Sequence, residues 1–463
     1  MKNNVRQAVS ALIINADIFT GNRATPRIQN GAIAVNDGLI VDLGSSQVIE
    51  SKYQPVDLID VKGAIVHPGM IDTHLHAMSV SLHGLPIAID NAPTGRQVSY
   101  AAVKVETDDM ATEALTKAAS IALLRRGYTC FIEAGTVFET DAFASGLQAV
   151  GMRGMVSAPF GWDNVSLFEA LAPGMITPRL MERVPADTDL VLKRLERELS
   201  LRGDRDGLVT AFVCLYGEGS ATEELTRQAH ALARKNNVLY NQHQGFLPQW
   251  HDAVMQRDGE TGVARLQRLG ILNPDTLLSH MNVMSDRDFE LVLEAKPGIT
   301  WCPNNALHRA VHPNCPCRLP SLARSGVPVS LGIDTTMYHS LGTMGTGSLL
   351  LSAMVGERLD DSEPFYMQTA IAAKNIGFGD ELGTIAVGKR ADIVVRRTED
   401  ITHTPLDDQG ALLAMSSSQV PVDLVMINGD IVMKGGQTTK VDQSEVLRAA
   451  VEQRSRLVEK AMA

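Results

Sequence analysis

Between residues 67 and 375 the sequence alternates short apolar runs with amphipathic stretches of helical spacing. No other feature restricts the possible folds as much. The apolar runs read as buried strands ending near His76, Glu133, Pro159, Tyr216, His243, His280, Cys302 and Asp334. Eight such strands, each followed by helical material, predict an α/β fold built on a (β/α)8 TIM-like barrel. Some of the helices can be read in detail. Ser220-Ala221-Thr222-Glu223 offers a capping box, after which Leu225, Ala229, Leu232 and Ala233 share one face. Asn236-Asn237 closes that helix, and another starts at Ser285 with Phe289, Val292 and Leu293 turned to the core.

The flanks have a different texture. Residues 8–66 hold β-branched runs separated by turns such as Asn36-Asp37-Gly38, which is hairpin chemistry. The same pattern returns at residues 391–395 and 422–430. The expected organisation is a small β-sandwich domain made from residues 1–66 and 376–440, the barrel at 67–375, and a C-terminal helix at 441–463. A net charge of −11 without long like-charge runs argues against a nucleic-acid groove. The five cysteines read as thiols, not as a disulfide framework. No apolar run is long enough to be a signal peptide or to cross a bilayer, so a cytoplasmic protein without a membrane partner is expected.

In a barrel of this type the chemistry sits at the C-terminal ends of the strands. Those ends carry His74-Leu75-His76, His243, His280 and Asp334. Two histidines two apart on a strand project from the same face and can grip one ion. Three imidazoles and a carboxylate make a first-row metal site with room for water. The expected cofactor is one divalent transition metal ion, cobalt or zinc foremost, with manganese and iron also compatible. The expected partner is a small-molecule substrate.

The segment Pro68-Gly69-Met70-Ile71-Asp72-Thr73-His74-Leu75-His76 resembles the strand-one signature of the amidohydrolase superfamily. The runs ending at His243, His280 and Asp334 resemble its strands five, six and eight. Leu382 to Val394 is similar to a sheet segment of its cyclic-amide, deaminase and chlorohydrolase branch. The resemblance implies metal ligation by His74, His76, His243 and Asp334. It also implies proton transfer by Asp334, a hydrogen bond from His280 to water or carbonyl oxygen, and a homo-oligomer, dimer or tetramer. Strand four, Val209 to Tyr216, has no lysine of the kind that two-metal members modify, which favours a single ion.

Deaminating members carry a glutamate three residues after the strand-five histidine; this chain has Phe246 there. That departure resembles the branch of thiocarbamate (molinate-type) and phenylurea hydrolases. It implies attack by metal-bound hydroxide on the carbonyl of a thiocarbamate, cleaving C–S or C–N. The alternatives are a phenylurea or anilide amidohydrolase, and a heterocycle deaminase or chlorohydrolase in which Gln244 or Glu218 replaces the missing acid. Phe246, His83, His308 and His339 are the candidate substrate contacts, and Asp90 shares the loop of His83. His67 reads as structural. Cys315-Pro316-Cys317 and the glycine-rich 342–347 segment read as loops without metal or phosphate chemistry.

Overall fold

A computed structural model of the chain describes residues 6–83, 87–88, 98–172, 174–309, 317–335, 344–397, 408–417 and 420–462. Its middle carries parallel strands at Met70–Leu75, Tyr128–Glu133 and Arg153–Val156. A fourth is split at Phe212 into Val209–Ala211 and Val213–Leu215. Tyr240–Gln244, Thr276–His280, Gly298–Trp301 and Val329–Leu331 follow. They pair in chain order as two parallel sheets that part company at Phe212. There Phe212 N donates to Val156 O, and Val213 N to Leu239 O. At the opposite seam a single bridge pairs Leu75 with Asp334. The result is a TIM-barrel-like fold with two interruptions in its ladder.

Side-chain alternation fills the interior in layers. Ile71, Cys130, Ile132, Met155, Phe212 and Cys214 form an apolar cluster with Ala372, Ala373 and Ile376. The helix Ala370–Asn375 therefore plugs one end. A polar layer follows, in which Thr73 Oγ1 lies 3.0 Å from Ser330 Oγ and accepts from Thr300 Oγ1 at 2.9 Å. Strand one then breaks its phase. Its register against strand two shifts between Asp72 and Leu75, and Leu75 joins Met70 in the outer cluster. The irregularity lets His74 and His76 follow Thr73 into the interior.

Two helix starts test the capping argument. Helix Glu223–Asn236 is capped by Thr222, which accepts from Leu225 N, and not by Ser220. Ser220 lies two residues before the cap position, and its hydroxyl donates to Gly217 O at 2.6 Å. The helix ends at Asn237 in the left-handed region, φ 51°. Helix Asp286–Ala295 has a full capping box between Ser285 and Asp288.

The flanking segments form one nine-stranded sheet, where the sequence suggests a sandwich of two. Strand Ile65–Pro68 stitches the two chain ends together. It pairs parallel with Gln7–Phe19 and antiparallel with Ile393–Arg396. The long first strand has register shifts on either side of Ala16, which bend it and curl the sheet. Its ends consequently approach: a Cβ on Gly38 would stand 2.9 Å from Asn428 O, and Ile40 N donates to Lys389 O at 2.8 Å. Ile13, Ile33, Val66, Ile393 and Met426 share the enclosed core.

Sheet and barrel meet at Arg396, which is fully buried. Its guanidinium donates to His67 Nε2 at 2.8 Å, Val420 O at 2.6 Å and Arg126 O at 2.5 Å. Burial lowers its pKa to about 10. His67 is structural, as expected, with its other nitrogen on Pro68 O. The last helix, Gln443–Met462, forks Arg456 onto Asp108 and donates from Arg454 to Ser81 O and His83 O. Among the described residues no helix is long and apolar enough to cross a membrane. Arg396→Leu strands two buried acceptors, His67 Nε2 and Val420 O, each worth about 1–3 kcal/mol, and the half-buried Arg126 O. The expected outcome is a loss of about 3 kcal/mol or more in a urea titration.

Candidate metal centre

Strand one delivers His74 and His76 because Asp72 fixes the chain around them. Its Oδ1 accepts from His74 N at 3.0 Å and from Ile333 N at 3.1 Å, tying strand one to the end of strand eight. Burial pushes the Asp72 carboxyl up to about 8. Beside it, His76 N donates to Asp334 O and Asp334 N to His74 O, both at 2.7 Å. Gly332 is required by close approach: a Cβ there would stand 2.7 Å from His74 Cβ.

The candidate ligands converge. The ligand atoms of His74, His76 and His243 lie within 4.8 Å of one another, and so do those of His280, Cys302 and Asp334. Asp334 Oδ1 is 3.2 Å from His76 Nε2 and 3.9 Å from His74 Nε2. The His280 ring centroid is 5.0 Å from that of His74 and 5.3 Å from that of His243. Strand parity would send His280 outward with Leu278. Instead His280 and Met281 adopt left-handed backbone, φ 80° and 50°, and Asp334 does so at φ 67°. Such conformations cost about 1–3 kcal/mol each and mark places where the surroundings dictate geometry.

The electrostatics favour a cation. Burial holds the His74 imidazole well below its ordinary pKa and lowers His243 to about 4, so both rings are neutral. His76 Nδ1 lies 2.8 Å from Thr136 Oγ1, whose own proton goes to Glu133 Oε1 at 2.8 Å. The hydroxyl must therefore accept from Nδ1, leaving a lone pair on His76 Nε2 that faces the Asp334 carboxylate. Among the described residues, buried His74 Nε2 and Asp334 Oδ2 have no hydrogen-bond partner. Electron-pair donors directed at one another in a low-dielectric interior are what a divalent ion resolves. The residues fit the metal.

Phe246 packs against His280, ring centroids 4.5 Å apart and planes tilted by 40°. Gln244 is not brought to the site. It faces away from His243 and bonds Gln242 and Glu218. The Glu218 carboxyl accepts from Phe246 N at 3.0 Å, and burial raises its pKa to about 7. These two groups brace the turn after strand five. His83 is exposed at the end of the turn Ala77–Leu82. The side chain of His308, on the helix Pro303–Arg309, lies outside the described residues, as do Asp90, Cys315 and His339.

Several neighbours escaped the sequence reading. Cys302 ends a strand in the same way as His280, and that position was the available signal. Lys104, 6% exposed, stands alone in the apolar run Ala101-Ala102-Val103-Lys104-Val105. Burial pushes its ammonium down, while Glu133 and Asp334 pull it back up. Tyr216 stacks on His243 with centroids 5.1 Å apart.

The amidohydrolase family profile matches residues 65–432. A 5-methylthioadenosine/S-adenosylhomocysteine deaminase of Thermodesulfovibrio yellowstonii is 25% identical over 448 residues, 94% of this chain and 95% of its own. Among solved structures, a zinc-containing adenosine deaminase from Xanthomonas campestris superposes with a TM-score of 0.83 at 20% identity, covering 98% of this chain and 99% of its own. The zinc complex of an atrazine chlorohydrolase from Arthrobacter aurescens gives 0.78 at 17% identity, covering 96% and 100%. These relatives are deaminases and a chlorohydrolase; none is a thiocarbamate hydrolase.

Gly217 offers a direct test of how His243 is placed. At φ 77°, a Cβ would stand 2.1 Å from His243 O, whereas Gly259, at φ 75°, has nothing within 4 Å. Gly217→Ala should cost at least about 2 kcal/mol and most of the bound metal, read by thermal melts and elemental analysis. Gly259→Ala should cost about 1 kcal/mol and no metal.

Proposed function

The chain belongs to the amidohydrolase family, and on that premise we propose a single-metal hydrolase that displaces a leaving group from an electron-poor ring carbon. This is the reaction of a heterocycle deaminase or chlorohydrolase. The reading is carried by the convergence of His74, His76, His243 and Asp334 beside His280, in a chain aligned end to end with named deaminases. The first four residues would hold the ion, and an imidazole-rich set suits zinc or cobalt. Such an ion supplies Lewis acidity and brings the pKa of water from 15.7 toward about 7. Asp334 Oδ2 takes the proton of the attacking water and returns it to the departing group. His280 hydrogen-bonds the attacking water and orients it toward the ring carbon.

Phe246 favours a second reading. Its ring cannot protonate a ring nitrogen, and it lines the wall beside His280 with apolar surface. A thiocarbamate of the molinate type, or a phenylurea or anilide, presents a carbonyl that needs no such proton. A thiolate leaves such a carbonyl with less assistance than an amine anion.

The experiment is a hydrolysis panel on cobalt-, zinc- and manganese-loaded protein with a chelated control. It includes a 5′-substituted adenosine, an amino- and a chlorotriazine, a thiocarbamate, a phenylurea and an anilide. Metal-dependent ammonia or chloride release is expected. Turnover confined to the carbonyl substrates would transfer the assignment to the second reading. Asp334→Ala and His243→Ala should each lower kcat/KM by about a thousandfold or more, about 4 kcal/mol. Full metal and full turnover in either variant would refute the site. Phe246→Glu should raise ammonia release about tenfold or more if ring protonation limits the rate.

A further inference from the structure

Behind His76 lies a buried polar chain that the reaction as described leaves unused. Glu133 ends strand two and is fully buried. Its Oε1 accepts from Thr136 Oγ1 and its Oε2 from Thr136 N, both at 2.8 Å. Thr136 Oγ1 in turn accepts from His76 Nδ1. A full carboxylate in such a place costs several kcal/mol unless an opposite charge accompanies it. The helix Tyr100–Val105 brings that charge, since Lys104 is buried in the fields of Glu133 and Asp334. Its Nζ stands 5.1 Å from the ring centre of Phe160, which stacks on Tyr216 and through it on His243. A lysine in an apolar helical run that reaches the mouth of a barrel has little to gain from packing alone.

We propose that Glu133 is a positioning residue of the metal centre: hydrogen-bonded through Thr136 to His76, it fixes that ring with Nε2 toward the ion, and the buried Lys104 ammonium compensates its charge. The relay acts on the ligand and not on the substrate. Partners of this kind that hold a ligating histidine change metal affinity by about 10–100-fold when removed. Acting through one chain, Lys104, Glu133 and Thr136 should give effects that do not add.

The proposal rests on the metal reading above, and the test separates the two. Metal affinity is measured by competition with a chromophoric chelator for zinc. The visible spectrum of the cobalt-loaded protein reports ligand geometry. Lys104→Met, Glu133→Gln and the near-isosteric Thr136→Val should each weaken zinc binding about 10–100-fold and shift the cobalt bands. The double variant Lys104→Met/Thr136→Val should bind no more weakly than the weaker single variant. Should Lys104→Met be too unstable to purify, Lys104→Gln removes the charge and keeps a donor. A purely structural role would lower the melting temperature and leave affinity and spectrum unchanged, overturning the proposal. Additive losses in the double variant would overturn it as well. A wild-type protein that binds no divalent ion would instead refute the metal reading itself.

Discussion

Strands one and eight are joined by very little backbone, and the whole centre hangs from that join. Two hydrogen bonds, His76 N to Asp334 O and Asp334 N to His74 O, cross the seam between the sheets. They set three of the four candidate ligands side by side before any side chain is considered. Asp72 reinforces the seam with a carboxyl oxygen that ties His74 N to Ile333 N. Gly332 permits the approach by presenting no Cβ to His74. Were the register of strand one to slip by a residue, both histidines would turn toward the outer helices.

The convergence of donors also makes the centre a place of conflict. Neutral imidazoles, a carboxylate and the thiol of Cys302 are buried together. His280 and Asp334 hold unfavourable backbone angles to complete the set. Local propensity and site geometry disagree here, the usual condition where structure serves chemistry and not stability. The surrounding shell absorbs the cost through the apolar plug below and the packed helices outside. The two buried carboxyls closest to the ligands, Asp72 and Glu133, each have backbone or side-chain donors directed at them.

Much of this was legible in the sequence, for physical reasons that can be named. The barrel strands are buried on both faces, so their apolar runs stand out, and a chemistry-bearing residue punctuates the end of most of them. His74, His76, His243, His280 and Asp334 were therefore readable by position. Lys104 was not, because a charge in an apolar segment gives no hint of what it faces, and Glu133 stood at a strand end with nothing to tie it to His76 through Thr136. Ser220 misled because the helix starts two residues later, where Thr222 accepts from Leu225 N. The flanking strands revealed their alternation, but not that register shifts at Ala16 would curl one sheet where two were expected. Phe246 was visible as an anomaly, and its contact with His280 gives the anomaly a place without removing the tension with the deaminase relatives.

The stitching of the sheet by Ile65–Pro68 has a consequence for how the protein is made. One edge of that strand is completed by Ile393–Arg396, which leaves the ribosome about 330 residues later. At about 5–20 residues per second, the edge waits roughly 20–60 s for its partner. During that time an unpaired strand rich in Ile and Val adjoins the ladder already formed by the N-terminal hairpins, a template for pairing with another nascent chain. Production of active protein should therefore be limited by chaperone capacity and translation speed more than by the stability of the finished fold.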